Sequence, residues 1–205
     1  ITANRVVRDS AMKVGFHLMP GLPGSDLDRD LEMFKEIFTN EDYMPDYMKI
    51  YPTIVVRGTK LYEMWRRGGY TPLNTEEAAE LVAKVKRIVP RWVRIQRVQR
   101  DVPVSEIAAG ANKGNLRQIA REILSRDGGR CRCIRCREVG LASLDGRKAI
   151  NITLGVERYE ACGGIEYFIS YEDFEEDVLV GFVRLRIPND PHRRELHECA
   201  LIRDL

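Results

Sequence analysis

The 205-residue chain lacks several sequence features that are typical of secreted proteins and of membrane proteins. No apolar run approaches the roughly 20 residues of a membrane-spanning helix. The first residues, Ile-Thr-Ala-Asn-Arg, contain neither a methionine nor an apolar signal segment. The five cysteines are an odd number without regular disulfide spacing. These absences argue against a secreted, disulfide-bonded domain and predict a cytoplasmic protein without a membrane partner, here as the middle part of a longer protein.

Acidic residues are also absent from one long stretch. Residues 84–100 hold seven lysines and arginines and no acid, and arginines are again frequent at 113–137. The acids gather instead at 26–46 and 172–177, so the net charge is only +2. This segregation predicts a basic face that binds a polyanion, although any single arginine is as well explained by a solvated helix surface.

Three cysteines within six residues carry the strongest chemical signal. Cys131, Cys133 and Cys136 are too close in sequence to form disulfides easily with one another, whereas a tetrahedral zinc ion accepts thiolates from such a short segment. The arginines between them favour thiolate over thiol. We therefore predict a zinc knuckle, with reduced surface thiols as the alternative. The candidates for a fourth ligand are Cys199, the neighbouring His197 and His192.

The order of predicted elements indicates an α/β fold. Strands at residues 12–19, 47–51 and 92–96 alternate with helices at 27–38, 59–67 and 75–88, which is typical of a parallel sheet. Only about three such units fit, so we expect part of a barrel or of an open sheet. Beyond residue 103 we predict a helical turn at 105–109 and a basic helix at 115–126. Strands follow at 150–161, 165–171, 178–187 and 200–205. The predicted domains are 1–103, 104–147 and 148–205.

Two strand ends of the predicted barrel carry candidate ligand-binding residues. Gly21 follows the first strand at the rim where barrel enzymes bind ligands, with His17 nearby. Lys49 and Tyr51 share one face of the next strand, and a lysine inside a barrel is costly without an anionic partner. The structural alternatives are two tight turns, a packed histidine and an internal ion pair for Lys49.

Basic residues beyond the barrel are candidates for RNA contacts. Such residues contact phosphates and give salt-dependent affinity without reading sequence. The predicted set is Arg94, Arg97, Arg100, Lys113 and Arg117. Trp92 and Tyr159 are expected in the core rather than as stacking platforms for bases.

Consecutive segments of the chain resemble the catalytic third subunit of Elongator. The segments include GFHLMPGLPG at 15–24, KIYPT at 49–53, LYEMW at 61–65, RVQRDVP at 97–103, GNLR at 114–117, REVG at 137–140, GGIEYF at 163–168, LVGFVRLR at 179–186 and IRDL at 202–205. They run in order along nearly the whole chain, and the cysteine-rich segment is similar to that of archaeal or bacterial members. Other Elongator subunits are then not expected as partners.

The resemblance implies a radical SAM barrel joined through a zinc-bearing linker to a GNAT-type acetyltransferase domain. In that family S-adenosylmethionine, an iron–sulfur cluster and acetyl-CoA serve to carboxymethylate C5 of the tRNA wobble uridine. The cysteine motif for the cluster and the acetyl-CoA loop are not found in this sequence. We therefore expect a central fragment that is inactive alone. A zinc-linked RNA-binding module and a protein lysine acetyltransferase are the alternative functions.

Overall fold

The computed structural model describes residues 2–205. Its helices are α1 (Thr2–Asp9), α2 (Leu27–Thr39), α3 (Lys60–Arg66), α4 (Thr75–Ile88), α5 (Leu116–Arg126), α6 (Ile134–Arg137) and α7 (Val139–Ala142). Its strands are β1 (Gly15–Leu18), β2 (Tyr47–Ile50), β3 (Val55–Val56), β4 (Arg94–Val98), β5 (Ile107–Ala109), β6 (Ile152–Glu160), β7 (Gly164–Asp173), β8 (Val178–Pro188) and β9 (Leu201–Asp204). The predicted α/β class is confirmed. No helix in this part of the chain combines the length and apolar character that a membrane span requires.

The first half of the chain forms a three-stranded parallel sheet in the order β1-β2-β4. Helices α2 and α4 pack on one face, where Met48, Ile50 and Ile95 are fully buried. The opposite face of β2 carries Tyr47 and Lys49, whose side chains are partly exposed. The alternation along β2 therefore separates a helix-covered face from an open face.

Capping chemistry sets where the two long helices of this half begin. Asp26 accepts a hydrogen bond from the Arg29 amide at 2.8 Å and caps α2. Helix α4 begins with a capping box between Asn74 and Glu77. The apolar residues Ala78, Leu81, Val82 and Val85 of α4 are buried, whereas Ile88 at the end of the helix is exposed.

A small antiparallel pairing replaces the predicted helical turn at 105–109. A 3-10 turn covers Val104–Glu106, and β5 then pairs with β3. Gly110 follows β5 with φ of +107°, and a Cβ there would lie 3.2 Å from the Thr53 carbonyl oxygen. Three residues are too few for periodicity to distinguish a turn from a strand, and pairing with β3 decides the outcome. The three domain boundaries stay predictions.

The second half of the chain is a four-stranded antiparallel sheet in the order β6-β7-β8-β9. The polarity of its two faces is the reverse of the usual arrangement, in which the apolar face is buried. The face toward the first half carries buried charged residues on β7, β8 and β9, whereas the other face is apolar and exposed. Leu154, Val156 and Ile202, for example, are 57%, 60% and 64% exposed.

Candidate functional site

The segment 131–136, called the knuckle below, is folded into the interior. Gly128, with φ of +67°, and Gly129 turn the chain at the end of α5. The Ile134 amide then donates a hydrogen bond to the Val93 carbonyl oxygen at 3.0 Å. Cys131 and Cys133 are buried against the helices of the first half. The thiols are therefore held between α4, α5 and β4 and do not lie in a surface loop.

The three thiol sulfurs of the knuckle lie within 4.8 Å of one another, and all five cysteines of the chain are free. Within residues 2–205 they form the one group of three or more candidate metal ligands. Hydrogen bonds from Cys131 and Cys133 hold the pKa of the Cys136 thiol below its usual value, with help from Lys86 and Arg117. Hydrogen bonding among the thiols and burial raise the pKa of Cys131. The geometry and thiol chemistry fit a zinc ion.

The structure places Cys199 outside this group, which corrects the prediction that it is the fourth ligand. Cys199 is exposed in the connection between β8 and β9, where its thiol contacts the Glu195 carbonyl at 3.3 Å. His192 lies 3.5 Å from the Ser10 hydroxyl and is not part of the group either. Sequence order alone could not show that this connection packs away from the knuckle.

A cavity of about 510 Å³ adjoins the knuckle. Its lining includes Cys131, Cys136 and six basic residues, Lys86, Arg117, Arg121, Arg130, Arg135 and Arg147. Asp145 is the acid of the lining, and it is already paired with Arg121 and with Arg147 at 3.7 Å. The surroundings of the thiols are therefore strongly cationic.

The open face of the parallel sheet brings three predicted ligand-binding residues together. His17 and Lys49 are register partners on β1 and β2, and the His17 ring meets the Tyr51 ring edge-on at 5.6 Å between centroids. The Arg100 guanidinium lies over Tyr51 at 5.7 Å. We call these four residues the rim surface. Among residues 2–205 no carboxylate pairs with Lys49, which removes the internal ion pair considered as its structural alternative.

Gly21 lies next to the rim surface in sequence but in a different environment. Its amide donates to Asp30 at 2.6 Å, and its carbonyl accepts from the Tyr70 hydroxyl at 2.5 Å. With φ of +79° and Leu73 close to where a Cβ would be, the position favours glycine. It borders a separate cavity of about 230 Å³. A ligand role for Gly21 stays a prediction.

The predicted RNA-binding residues differ in how far they are engaged within the protein. Arg94 pairs with Glu138, and Arg97 with Asp101. Lys113 pairs with Glu76 at 3.4 Å. Partly buried Arg117 donates to the Ile95 carbonyl at 3.0 Å, and Arg100 lies over Tyr51. The basic strip is therefore less free than its sequence indicates, and RNA binding by these five residues stays a prediction.

Sequence reasoning missed a buried set of eight charged residues that joins the two halves, called the charge network below. It pairs four arginines with four carboxylates. The members are Arg8, Asp9, Asp46, Glu166, Arg184, Arg186, Arg203 and Asp204. Glu166 accepts from three of the arginines at 2.8–3.1 Å. Desolvation opposes ionisation of Asp46, but a hydrogen bond from Arg203 and the charges of Arg8 and Arg184 outweigh it and lower its pKa.

A second ion-pair cluster attaches the knuckle to the sheet. Glu172 on β7 accepts from Arg91 and from fully buried Arg137, and the Ser170 hydroxyl donates to it at 2.8 Å. Nearby, Trp92 and Tyr159 stack at 4.2 Å, and Tyr159 is buried, which confirms that these aromatic residues belong to the core. The four-stranded sheet, the knuckle and the parallel-sheet half are thus held together by polar as well as aromatic contacts.

The chain is similar to one family model, to several curated proteins and to a solved structure. Residues 45–126 match the family model described as the Radical_SAM C-terminal domain. Proteins named tRNA uridine(34) acetyltransferase from Methanocaldococcus infernus and Methanocaldococcus jannaschii are each 48% identical to the chain over 98% of its length. Human Elongator complex protein 3 is 43% identical over 88% of the chain. A solved structure of the archaeal M. infernus Elp3 with an N-terminal deletion matches all of the chain with a TM-score of 0.95 and 48% identity.

The matches cover a much larger share of this chain than of its relatives. The chain spans 38% of the length of the two archaeal relatives, 33% of the human protein and 49% of the chain in the solved structure. The similarity therefore covers nearly all of this chain but less than half of each relative.

Proposed function

Because the chain belongs to the Elongator protein 3 family, which includes the archaeal tRNA uridine(34) acetyltransferases, we propose that it is a central part of a tRNA wobble-uridine-modifying enzyme. The product we propose is a uridine carboxymethylated at C5. The observation that carries the proposal is the match over 98% of the chain to the archaeal enzymes. This match includes the parallel sheet, the knuckle and the four-stranded sheet.

In the proposed parent enzyme, S-adenosylmethionine with an iron–sulfur cluster supplies radical chemistry, and acetyl-CoA supplies the two-carbon unit. We assign the cluster to residues outside this chain, since the three thiols here are built into the linker. The residues of this chain bind and orient. Lys49 and Arg100 present positive charge at the open sheet face, where the S-adenosylmethionine carboxylate or a phosphate would compensate them. The Tyr51 ring contacts both the His17 ring and the Arg100 guanidinium and would help to orient these side chains.

We assign a structural role to zinc at the knuckle. Three ligands from residues 131–136 would fasten this segment to α4 and α5. Arg91 and Arg137, which flank the knuckle in space, bind Glu172 on the four-stranded sheet. A zinc-fastened knuckle would therefore keep the barrel segment and the sheet in a constant relative position.

We further propose that the four-stranded sheet is the opening part of a GNAT-type acetyltransferase domain. Its exposed apolar face supports this, because a sheet normally buries such a face against another layer. In the parent protein, further elements of that domain would cover Leu154, Val156 and Ile202. The 205-residue chain alone is then expected to lack acetyl-CoA-dependent activity.

The deciding experiment measures acetyl-CoA consumption by the full-length parent with and without tRNA. Consumption that requires tRNA, with modified uridine at position 34 found by mass spectrometry of RNA digests, supports the proposal. Consumption with a protein substrate and no tRNA would instead favour the lysine acetyltransferase. Binding of tRNA without any consumption would favour the zinc-linked RNA-binding module. The same assay on the 205-residue chain is expected to give no turnover.

A further inference from the structure

We propose that the Nζ of Lys86 is the fourth ligand of the metal site at the knuckle, completing a three-sulfur, one-nitrogen tetrahedron. The proposal rests on the zinc assignment made above and extends it to a residue 45 positions before the first cysteine. Lys86 lies in the last turn of α4, which packs against the knuckle.

The position of the Lys86 amine fits a ligand. Its Nζ lies 3.6 Å from the Cys136 Sγ. In a tetrahedral site, Zn–S bonds of about 2.3 Å and a Zn–N bond of about 2.1 Å place sulfur and nitrogen about 3.6 Å apart. The observed separation is thus the ligand–ligand distance of such a site, and the three sulfurs lie within 4.8 Å of one another.

Lys86 is buried beside the thiols without a carboxylate partner among residues 2–205. The residue is only 1% exposed, whereas its helix neighbours Lys84 and Arg87 are exposed. No carboxylate of the described chain lies within ion-pair distance of its amine, and its side-chain hydrogen bond goes to Cys136. The buried amine therefore has a thiol sulfur, and no carboxylate oxygen, as its hydrogen-bond partner among the described residues, at a separation suited to a shared metal ion. On binding, the thiols and the ammonium release their protons to solvent, and the zinc ion takes three thiolates and one amine.

The surrounding charge supports this ligand set. One zinc ion with three thiolates and a neutral amine carries a net charge of −1. Partly buried Arg117 lies close enough to act on all three cysteines, and one of its guanidinium nitrogens has no hydrogen-bond partner. Arg117 would therefore act as the outer-shell cation that balances the complex.

Two variants separate direct coordination from an outer-shell role. Lys86→Met removes the nitrogen at nearly constant length, whereas Lys86→Arg keeps the positive charge but cannot coordinate, because arginine does not deprotonate. We expect both to weaken zinc binding, measured by chelator competition on the full 205-residue chain, by more than about 100-fold. Loss of an outer-shell partner alone costs roughly 10–100-fold. The matched control Lys84→Met, on the exposed side of the same helix, should bind zinc like the unchanged chain. Lys86→Arg binding within about 100-fold of the unchanged chain, the range of an outer-shell partner, would overturn the proposal.

Since Lys86→Arg also changes the packing around α4, a crystal structure of the zinc-loaded chain gives an independent test. Anomalous scattering should place the metal about 2.0–2.1 Å from the Lys86 Nζ. A zinc ion held by the three sulfurs but more than about 3 Å from this nitrogen would overturn the assignment of Lys86 and leave the zinc site standing. A chain that binds no zinc at all would overturn both.

Discussion

The charge network and the rim surface are two polar regions that differ in how their charges are compensated. In the network, four arginines meet four carboxylates at the junction of the two halves, and nearly all of these groups are buried. At the rim surface, Lys49 is partly buried without a carboxylate partner in the described chain, and exposed Arg100 lies over the Tyr51 ring. The knuckle resembles the rim surface, since cations predominate around its thiols.

The difference separates structural charge from charge that awaits a ligand. The charges of a buried ion pair have lost their contacts with water and are stabilised by each other. Removing one partner therefore leaves an uncompensated charge in the protein interior. A cation without a partner at a strand end gains most when an anion binds. We therefore expect changes in the network to affect folding and changes at the rim surface to affect ligand chemistry.

The largest effect is expected from Glu166→Gln in the charge network. The change removes a carboxylate that three arginines share, and it should lower the free energy of unfolding by about 3–5 kcal/mol. Urea unfolding measures this directly. Glu160→Gln on β6 is the matched control, because that carboxylate is exposed and pairs only with Arg158 at 3.6 Å; its loss should cost at most about 1 kcal/mol. Equal effects of the two changes would contradict a structural role for the network.

Lys49→Met at the rim surface should show the opposite pattern. Folding of the full-length parent should be unchanged, because Lys49 has no internal partner to lose. Modification of tRNA should fall at least tenfold, which corresponds to about 1.4 kcal/mol of lost transition-state stabilisation. Thermal unfolding and single-turnover RNA modification are the two measurements. Normal activity in a folded variant would show that Lys49 is not a ligand-binding residue.

The smallest effect is expected when Arg97 and Arg100 are both changed to Glu. If they contact phosphates, tRNA binding should weaken, and the slope of log affinity against log salt should become shallower by about 0.7–0.9 for each lost contact. Arg100 should account for more of this, because Arg97 already pairs with Asp101. Arg158→Glu on β6 serves as the control. An unchanged slope would mean that both arginines face away from RNA.

The elements that periodicity describes could be predicted from the sequence. Apolar residues recur at helical spacing along α2 and α4, and β2 alternates between a buried and an open face, so Lys49 and Tyr51 were correctly placed on one side. The three-cysteine group was also predictable, because its ligands lie within six residues. In each case the information is local in sequence.

The charge network and Lys86 could not be predicted because their partners are distant in the chain. Arg8 and Glu166 are 158 residues apart, and each alone is typical of an exposed position. Lys86 belongs to an acid-free stretch that indicates a solvated surface, yet it is the member of that stretch enclosed beside the thiols. The four-stranded sheet adds a further difficulty, since its charged face is buried and its apolar face is exposed. Only tertiary packing determines these outcomes.

The zinc content of the purified 205-residue chain tests the account most directly. It asks whether the knuckle, where cations outnumber carboxylates around the thiols, is a ligand site. Elemental analysis should find about one zinc per chain. In Cys133→Ser the metal should be lost, with faster amide hydrogen exchange in residues 127–147 than in the parallel sheet. A fully folded chain without metal, or a Cys133→Ser variant that retains one zinc per chain, would contradict the assignment of the knuckle as a metal centre.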